Sequence, residues 1–539
     1  MKKSIMKALP QLLLVTVVII IAAVLEGFLS LSMMDTIDAA LAGNKDLFKE
    51  EVMMLLFIAA ALLPLNVIIA YGKGTYKRKA IVSAKVNFVK KVFNKNINEF
   101  QRDNNSKYVS AMTNDVNTIE TSYIEGIYGI VFGACNFIVG IFVIAYVSPI
   151  ALVAGIAIGI VSSVIAMILG KPLQKHQTQR SDLYEGYTGY IKEVLSAFHI
   201  IKSNNLSNKV RKDFTHKSEA IQDKGYVIDK LYTYISALQN LNMMIALYGL
   251  LGVTAFMAIK GNITLGGVIL IVSSMEKIMM PIMELSEWLP KIFSTKKLFK
   301  KLDDILKNQD EYDETITLDG FDKVIEFKDV SFAYDEEVVL KDINLSIEKG
   351  GKYLVIGPSG GGKSTLLKLL RKYFAPKDGK ILVDSMNLRD VTKVSYFKHI
   401  SNVEQQVFLF EDTLKNNITL YKDYSEKEIQ LAIDRAGLRD FVDAQVEGLD
   451  TVIYDNGKNV SGGEKSRIAI ARGLLENADI IFLDEAFASL DSKIAKEIER
   501  TILSLEGITV VNVSHVIFEE SKGQYDKVFM VKNKEVSCI

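Results

Sequence analysis

The apolar residues of this chain are concentrated in its first 290 positions, where long uncharged runs alternate with charged segments. A helix that crosses a bilayer needs about 20 mainly apolar residues. The pattern predicts six such helices, at about 12–34, 52–71, 124–146, 149–170, 235–259 and 264–289. A cleaved signal peptide is the competing interpretation of the first run, which is longer than the apolar core of a signal peptide. We therefore predict an all-α transmembrane domain over residues 1–300.

Lysine and arginine are distributed unevenly around these six helices. The N-terminus, the loops 72–123 and 171–234 and the segment after the sixth helix are basic, whereas the loop 35–51 is mainly acidic. Positive residues stay on the cytoplasmic side of a membrane, so both termini and both long loops are predicted to be cytoplasmic. The two loops contain almost no proline, and we expect the membrane helices to continue into them. The predicted location is the plasma membrane, with a multi-pass topology.

The pattern changes after residue 300. A charged stretch at 301–323 has no long apolar run and is predicted to be a linker. In the remaining segment, 324–539, short β-branched runs alternate with helical segments, which indicates an α/β domain with a largely parallel sheet. The predicted strands are 324–327, 353–356, 381–383, 480–483, 509–513 and 527–531.

Charge separates the same two halves. The whole chain has 64 Lys+Arg against 64 Asp+Glu, a formal net charge of zero. Residues 324–539 hold 29 basic and 35 acidic residues, which leaves 35 basic and 29 acidic residues for 1–323. Binding to nucleic acid needs a clustered basic excess, so no nucleic-acid partner is predicted. The two cysteines are too few for a disulfide scaffold.

A glycine-rich segment follows the predicted strand 353–356. It fits the pattern G-x-x-x-x-G-K-[ST] with the residues Gly357, Pro358, Ser359, Gly360, Gly361, Gly362, Lys363 and Ser364, and Thr365 follows in the next predicted helix. Backbone N–H groups in such a loop surround phosphates, and the helix N-terminus favours their charge. Lys363 is expected to reach the β- and γ-phosphates and Ser364 to bind Mg²⁺. An ordinary glycine-rich turn is the alternative, but the flanking strand and helix favour an α/β P-loop ATPase domain that binds ATP.

The predicted strand 480–483 leads into two carboxylates, Asp484 and Glu485. A buried parallel strand delivers such residues to its carboxyl end, where α/β sheets bind ligands. Asp484 is expected to hold Mg²⁺ and Glu485 to polarise the attacking water. An apolar run followed by Asp-Glu is a weak signal alone, but it becomes strong beside the glycine loop.

A third motif lies between these two. Ser461, Gly462, Gly463 and Glu464 resemble the Leu-Ser-Gly-Gly-Gln signature of the ATP-binding cassette (ABC) exporter family. The order of glycine loop, Ser-Gly-Gly and Asp-Glu strand is characteristic of that ATPase class, and the resemblance covers nearly the whole chain. Glu464 replaces the usual Gln, and its charge is expected to weaken or tune nucleotide binding.

The resemblance implies roles for four further residues of the ATPase half. Tyr334 matches the aromatic residue that stacks on adenine, and a surface tyrosine is the alternative. Gln405 matches the glutamine that senses the metal and the attacking water. His515 resembles the switch histidine that contacts the γ-phosphate, and Asp491 resembles the aspartate that communicates between two sites.

Two local departures from the family pattern affect these expectations. Glu404 and Gln406 flank Gln405 where Pro and Asp are usual, so the local backbone is expected to differ. Asp455 stands where exporters often have a Glu that faces the membrane domain.

Segments 100–116 and 193–203 are similar to the cytoplasmic loops of exporters, which carry short coupling helices. The chain has one membrane half and one ATPase half, and the family binds each ATP between two ATPase domains. The resemblance therefore implies a second chain as partner, either another copy of itself or a paralogous half-transporter. Membrane lipid and an unidentified exported substrate are the other expected partners.

The implied function is ATP-driven export of a hydrophobic, amphipathic or peptide substrate from the cytoplasm by alternating access. A lipid flippase and a regulatory ATP sensor without cargo are the alternatives, and the sensor is disfavoured because the catalytic residues are present. An importer is disfavoured by the fusion of membrane and ATPase halves.

Four ionisable residues lie within or near the predicted membrane helices: Glu26, Glu276, Lys277 and Glu284. Such residues tend to face a cavity or translocation path. A position at the membrane interface, without contact to cargo, is the equally weighted alternative.

Overall fold

A computed structural model describes residues 1–103, 105–308, 314–515 and 517–539. The chain divides into two compact units: Met1–Lys95 with Asp103–Lys307, and Asn96–Arg102 with Asn308–Ile539. The first unit is helical, and the second contains the β-strands and the ATPase motifs. This architecture confirms the predicted fold class, an all-α membrane domain followed by an α/β P-loop ATPase domain.

The helices up to residue 305 are α1 (Lys2–Ile5), α2 (Leu9–Leu41), α3 (Lys45–Phe93), α4 (Ile97–Arg102), α5 (Asn105–Ser110), α6 (Val116–Ile119), α7 (Glu125–Val147), α8 (Pro149–Ser196), α9 (Phe198–Ser203), α10 (Ser207–Ile259), α11 (Leu265–Ser274) and α12 (Glu276–Ile305). Two π-helical segments, Ala111–Asp115 and Glu120–Ile124, flank α6. All of these except α4 belong to the first unit.

Within the described residues, five helical stretches are long and apolar enough to cross a membrane: Lys2–Leu41, Lys45–Phe93, Lys107–Val147, Ser207–Ile259 and Leu265–Ile305. The fourth predicted span, 149–170, forms the first part of the long helix α8. Several helices run far beyond the predicted spans, since α3 continues to Phe93 and α10 starts at Ser207.

The predicted linker 301–323 overlaps the end of α12, which continues to Ile305. Residues 309–313 of that linker lie outside the described residues. Beyond them, Ile316 forms an isolated parallel bridge with Val391, so this part of the segment is tied to the ATPase unit.

Helices of the first unit pack in long pairs: α2 lies along α3, α8 along α10 and α7 along α12. The contact between α7 and α12 is close because α7 presents glycines. A Cβ on Gly129 would lie 2.6 Å from the Trp288 indole nitrogen, and one on Gly140 would lie 3.0 Å from the Cβ of Lys277. Small residues allow membrane helices to approach in this way.

The strands of the second unit are β1 (Val324–Tyr334), β2 (Glu337–Glu348), β3 (Lys352–Ile356), β4 (Asp378–Val383), β5 (Met386–Asn387), β6 (Ile400–Val403), β7 (Ile480–Asp484), β8 (Thr509–Val513), β9 (Lys527–Lys532) and β10 (Glu535–Cys538). In the described residues they form two sheets, with the orders β2-β1-β4-β5 and β10-β9-β3-β8-β7-β6. The first sheet is antiparallel. The predicted strands 324–327 and 381–383 therefore belong to a separate antiparallel sheet, not to the parallel one.

The helices of this unit are α13 (Lys363–Leu370), α14 (Lys393–Tyr396), α15 (Leu414–Thr419), α16 (Glu426–Arg435), α17 (Arg439–Asp443), α18 (Gly462–Leu475), α19 (Ser492–Leu503) and α20 (Glu519–Lys522). One apolar core joins the antiparallel sheet, α13 and one side of the parallel strands. A second core covers the other side with α15, α16, α18 and α19.

Candidate active site

Four parallel strands, β3, β8, β7 and β6, are neighbours in the larger sheet. The glycine loop follows β3, His515 follows β8, Asp484 ends β7 and Gln405 follows β6. Because the carboxyl ends of neighbouring parallel strands meet at one edge, this strand order gathers residues that are far apart in sequence.

The glycine loop passes from buried β3 to the N-terminus of α13. Gly357 has φ +149° and Gly362 has φ +108°, both in the region that favours glycine. A Cβ on Gly357 would lie 2.2 Å from the Val531 carbonyl oxygen of β9. The loop therefore requires glycine at this position to pass close to the neighbouring strand.

The Lys363 side chain bends back over this loop. Its ammonium donates hydrogen bonds to the carbonyl oxygens of Gly357, at 2.9 Å, and Pro358, at 3.0 Å. Burial lowers the pKa of Lys363, while the nearby charges of Glu485 and Asp484 oppose that shift. A cation held in this way lies where phosphate oxygens would replace the two carbonyls as its partners.

Glu485 is held between two of the predicted site residues. The Gln405 side-chain amide donates to one carboxylate oxygen of Glu485 at 2.6 Å, and His515 Nε2 lies 2.9 Å from the other oxygen. Glu485 has φ +49°, a conformation that non-glycine residues adopt mainly at turns and functional sites. Strand β7 ends just before Glu485. The Glu485 carboxylate lies between Gln405, which follows β6, and His515, which follows β8.

Asp484 has a cationic neighbour that sequence reasoning missed. The Arg371 Nη1 lies 3.6 Å from the Asp484 carboxylate, and the Arg371 side chain is 3% exposed. Burial raises the pKa of Asp484, and Arg371 opposes the rise. The only sequence signal for Arg371 was a charged residue at the end of an apolar helix, which is too common to be diagnostic.

An open cavity of about 350 Å³ lies over the glycine loop. Its lining includes Glu485, His515, Tyr334 and Val339, together with the loop residues Ser359, Gly360, Gly361, Gly362, Lys363, Ser364 and Thr365. The Tyr334 hydroxyl lies 3.4 Å from the Thr365 hydroxyl, and its ring packs edge-on against Phe374. The cavity thus has both an aromatic ring, that of Tyr334, and the glycine loop in its lining.

The signature residues lie elsewhere in the same unit. Ser461 is the N-cap of α18, and its backbone N–H donates to the Glu464 carboxylate at 2.7 Å in a capping box. Asp491 similarly caps α19. The described residues that line the cavity do not include the signature residues Ser461, Gly462, Gly463 and Glu464, nor Asp491.

Two remaining sequence expectations concern the surface of the unit. Asp455 is exposed, has φ +48° and forms an ion pair with Lys458. Glu404 accepts a hydrogen bond from the Tyr373 hydroxyl at 3.3 Å, so the residue in place of the usual proline has a local partner.

Helix α4 lies between membrane-half helices in the sequence but belongs to the ATPase unit. The Lys393 ammonium donates to the side-chain oxygen of Asn96, just before α4, at 2.6 Å. The Arg102 guanidinium lies 5.9 Å from the centre of the Phe374 ring. Both ends of this short helix are therefore bound to the ATPase unit.

Comparisons with known proteins agree with this geometry. Residues 12–282 match the model of the ABC transporter transmembrane region, and residues 340–488 match the ABC transporter model. The chain is 27% identical over 451 residues to the uncharacterized ABC transporter ATP-binding protein YfiC of Bacillus subtilis strain 168, covering 81% of this chain and 73% of that protein.

Two further similarities extend over most of the chain. It is 30% identical over 423 residues to an ATP-dependent lipid A-core flippase of Syntrophus aciditrophicus, covering 77% of this chain and 70% of the flippase. A solved bacterial Atm1-family ABC exporter with ATP bound matches with a TM-score of 0.82 at 19% identity, covering 99% of this chain and 94% of that one.

A helical membrane unit joined to a P-loop ATPase unit defines a transporter driven by ATP. The chain belongs to the ABC transporter family, in the half-transporter arrangement of exporters. It is a multi-pass membrane protein that binds ATP and couples its hydrolysis to export.

Proposed function

We propose that two copies of this chain form an exporter that moves a hydrophobic, amphipathic or peptide substrate out of the cytoplasm. The observation that carries the proposal is the Glu485 carboxylate, held between Gln405 and His515 at the edge of the glycine-loop cavity. A carboxylate with two such partners is oriented to accept a proton from water.

In the proposed reaction, Lys363 leaves the Gly357 and Pro358 carbonyls and binds phosphate oxygens. Glu485 accepts a proton from the water that attacks the γ-phosphate, Gln405 orients that water and His515 binds the phosphate from the other side. Tyr334 and the loop residues from Gly357 to Thr365 bind the nucleotide. Residues that only position and stabilise charge are sufficient for phosphoryl transfer, because little covalent chemistry is required of the protein.

The donor set also fits Mg²⁺. Asp484 supplies a carboxylate, and Ser364 supplies an exposed hydroxyl at the cavity. Gln405 supplies its side-chain amide oxygen, because its amide nitrogen already donates a hydrogen bond to Glu485. Hard oxygen donors of this kind are what Mg²⁺ prefers. When bound, the ion neutralises charge on the phosphates. Asp484, Ser364 and Gln405 are the residues that we propose hold it.

The second copy completes the site. Ser461, Gly462, Gly463 and Glu464 do not line the cavity of their own chain, so we propose that they close over ATP bound to the partner chain, with Asp491 between the two sites. One chain carries every residue of a complete site, which supports a homodimer. A paralogous half-transporter is the alternative partner.

Helix α4 supports a route from ATP to transport. It is bound to the ATPase unit through Asn96 and Arg102 while both its neighbours in sequence are membrane-half helices. We propose that α4 and α9 transmit the opening and closing of the ATPase pair to the membrane helices. We also propose that both termini and the ATPase domain are cytoplasmic, because the loops on that side of the membrane helices are basic, and that the membrane is the plasma membrane.

A lipid flippase is the second candidate, and the similarity to an ATP-dependent lipid A-core flippase favours it. It differs from the first only in cargo. A regulatory ATP sensor is disfavoured, because a sensor has no need of the Gln405–Glu485–His515 arrangement.

The test uses the purified full-length chain in proteoliposomes. Glu485→Gln is expected to lower ATP turnover at least a hundredfold while ATP still binds, because the base is lost but the phosphate site is kept. Glu476→Gln removes the charge of a half-buried carboxylate that pairs with Lys422, and this control variant should hydrolyse ATP normally. Near-normal hydrolysis by Glu485→Gln would contradict the assignment of the base, and an inactive monomer would contradict the homodimer.

A further inference from the structure

Lys277 links two helices of the membrane half through polar contacts. Its ammonium donates to the Glu26 carbonyl oxygen at 3.1 Å and lies 3.4 Å from the Ser30 hydroxyl, both on α2. The nearest oxygen of the Glu26 carboxylate is 3.9 Å away. The three residues form one polar cluster, here called the Lys277 cluster.

The cluster lies deep in the apolar region. Glu26 is near the centre of α2, roughly 25 Å from either end at 1.5 Å per residue. Between Lys7 and Asp35 it is the only charged residue of the sequence. An ionisable side chain at such depth is costly, and transporters keep one mainly where it contacts substrate, ions or an internal partner.

The backbone of α12 is fixed where it carries Lys277. Gly140 of α7 allows α12 to approach so closely that a Cβ there would lie 3.0 Å from the Cβ of Lys277. Pro281 has no N–H to donate to the Lys277 carbonyl four residues earlier. The helix is also interrupted at Met275, between α11 and α12. The lysine is thus carried by a closely packed part of α12, and its side chain reaches α2.

The cluster retains unused binding capacity. An ammonium has three donors, and Lys277 uses two on α2. In the described part of the chain the Glu26 carboxylate accepts no hydrogen bond, since 3.9 Å is too long for one. The two side chains are 21% and 36% exposed, so both are accessible. The cluster therefore offers a positively charged hydrogen-bond donor, the Lys277 ammonium, next to a negatively charged acceptor, the Glu26 carboxylate.

We propose that Lys277 and Glu26 bind the two opposite charges of a zwitterionic headgroup on an amphipathic substrate. This inference rests on the proposed export function and names its substrate class. An anion bound to Lys277 alone would be repelled by Glu26, and a cation bound to Glu26 alone would be repelled by Lys277. A headgroup with an ammonium and a phosphate or carboxylate satisfies both residues, and an aminophospholipid has this chemistry.

The experiment follows the movement of lipids by the full-length protein in vesicles of an uncharged digalactosyl lipid, which has no charged headgroup to compete for Lys277 and Glu26. Three probes carry a dithionite-sensitive fluorophore on one acyl chain: phosphatidylethanolamine, phosphatidylglycerol and a trimethylammonium lipid. The wild type is expected to move the ethanolamine lipid fastest. Lys277→Gln and Glu26→Gln should each lower that rate about tenfold, the loss expected for one close charge contact.

The two variants should differ in the probe that they then prefer. Lys277→Gln leaves a carboxylate and should gain preference for the cationic lipid, whereas Glu26→Gln leaves an ammonium and should gain preference for phosphatidylglycerol. Lys277→Arg keeps the charge and should retain the wild-type order, which guards against a fold defect. Lys291→Gln and Glu287→Gln alter an exposed ion pair on the same helix and serve as controls.

Several results would overturn the inference. Equal loss for all three lipids in both variants means that the pair only ties α2 to α12. A wild type that prefers a singly charged lipid, or that moves none while hydrolysing ATP, also contradicts it and leaves the ATPase proposal intact. Absence of hydrolysis in the wild type would instead contradict the proposed function. If free glycerophosphoethanolamine stimulates ATP hydrolysis as strongly as the ethanolamine lipid does, the substrate is not amphipathic and the inference is contradicted.

Discussion

The Lys393 ammonium of the ATPase unit donates a hydrogen bond to the Asn96 side-chain oxygen at 2.6 Å. Asn96 lies 297 positions earlier in the sequence, directly between α3 and α4. Lys393 also pairs with Glu314 at 3.3 Å. This lysine therefore holds the segment before α4 and the segment before β1 at one point of the ATPase unit.

Lys393→Met is expected to uncouple transport from hydrolysis. The variant loses the hydrogen bond to Asn96, while the hydrolytic residues keep their own contacts. Substrate moved per ATP hydrolysed should fall several-fold with basal hydrolysis retained, as measured in proteoliposomes. Lys398→Met, an exposed lysine nearby, should couple normally. If the rates of transport and of ATP hydrolysis fall in the same proportion, Lys393 does not transmit the motion of the ATPase unit to the membrane helices.

Arg371→Met is expected to weaken the use of Mg²⁺. Arg371 opposes the burial effect that raises the pKa of Asp484, so its loss raises that pKa further and removes the buried cation that pairs with this half-buried carboxylate. The Mg²⁺ concentration for half-maximal hydrolysis should rise about tenfold. The acidic limb of the pH profile should move to higher pH, because Asp484 must be ionised to bind the metal.

The matched control for Arg371 is Arg500→Met, which removes an exposed partner of Glu520. It should change neither the Mg²⁺ requirement nor the pH profile. Arg371→Met could instead lower the maximal rate of ATP hydrolysis and leave its Mg²⁺ dependence and pH profile unchanged. In that case Arg371 does not act through Asp484.

Glu464→Gln is expected to strengthen ATP-driven closure. The Glu464 carboxylate accepts from the Ser461 N–H and places a negative charge at the N-terminus of α18, where the helix dipole attracts phosphate. Glutamine keeps an acceptor but removes the charge. The charge of Glu464 is expected to change the free energy of phosphate binding at this helix end by about 0.3–1 kcal/mol. The ATP concentration for half-maximal dimer closure should therefore fall by up to about fivefold in Glu464→Gln.

This effect is measured in the Glu485→Gln background, where ATP is not consumed. Glu428→Gln is the control, because it removes the acidic residue of a capping box on α16. Weaker closure by Glu464→Gln would contradict the charge argument.

Gly357→Ala is expected to destabilise the ATPase unit. The added Cβ meets the Val531 carbonyl oxygen at 2.2 Å, and φ is +149°. The loop or β9 must move, at a cost of about 2–3 kcal/mol. Thermal unfolding should show a lower transition temperature, whereas Gly523→Ala, with open space around it, should leave it nearly unchanged. Equal stability of the two variants would contradict this account.

The linear sequence determined the class of each half. Apolar runs of about 20 residues and the glycine loop are local signals, since each depends on neighbouring residues only. The Asp484-Glu485 pair and the Ser461 motif were found for the same reason. The sheet was predicted less well, because β-branched runs such as 324–327 look alike in parallel and antiparallel sheets.

Tertiary structure decided which of these residues act together. Gln405 and Glu485 are 80 positions apart and meet only because β6 and β7 are neighbours. The contact of Arg371 with Asp484 and the membership of α4 in the ATPase unit likewise depend on packing between distant segments. Strand order and helix packing arise from long-range contacts, which the pattern of a single sequence does not encode, whereas the chemistry of each motif is carried by its own residues.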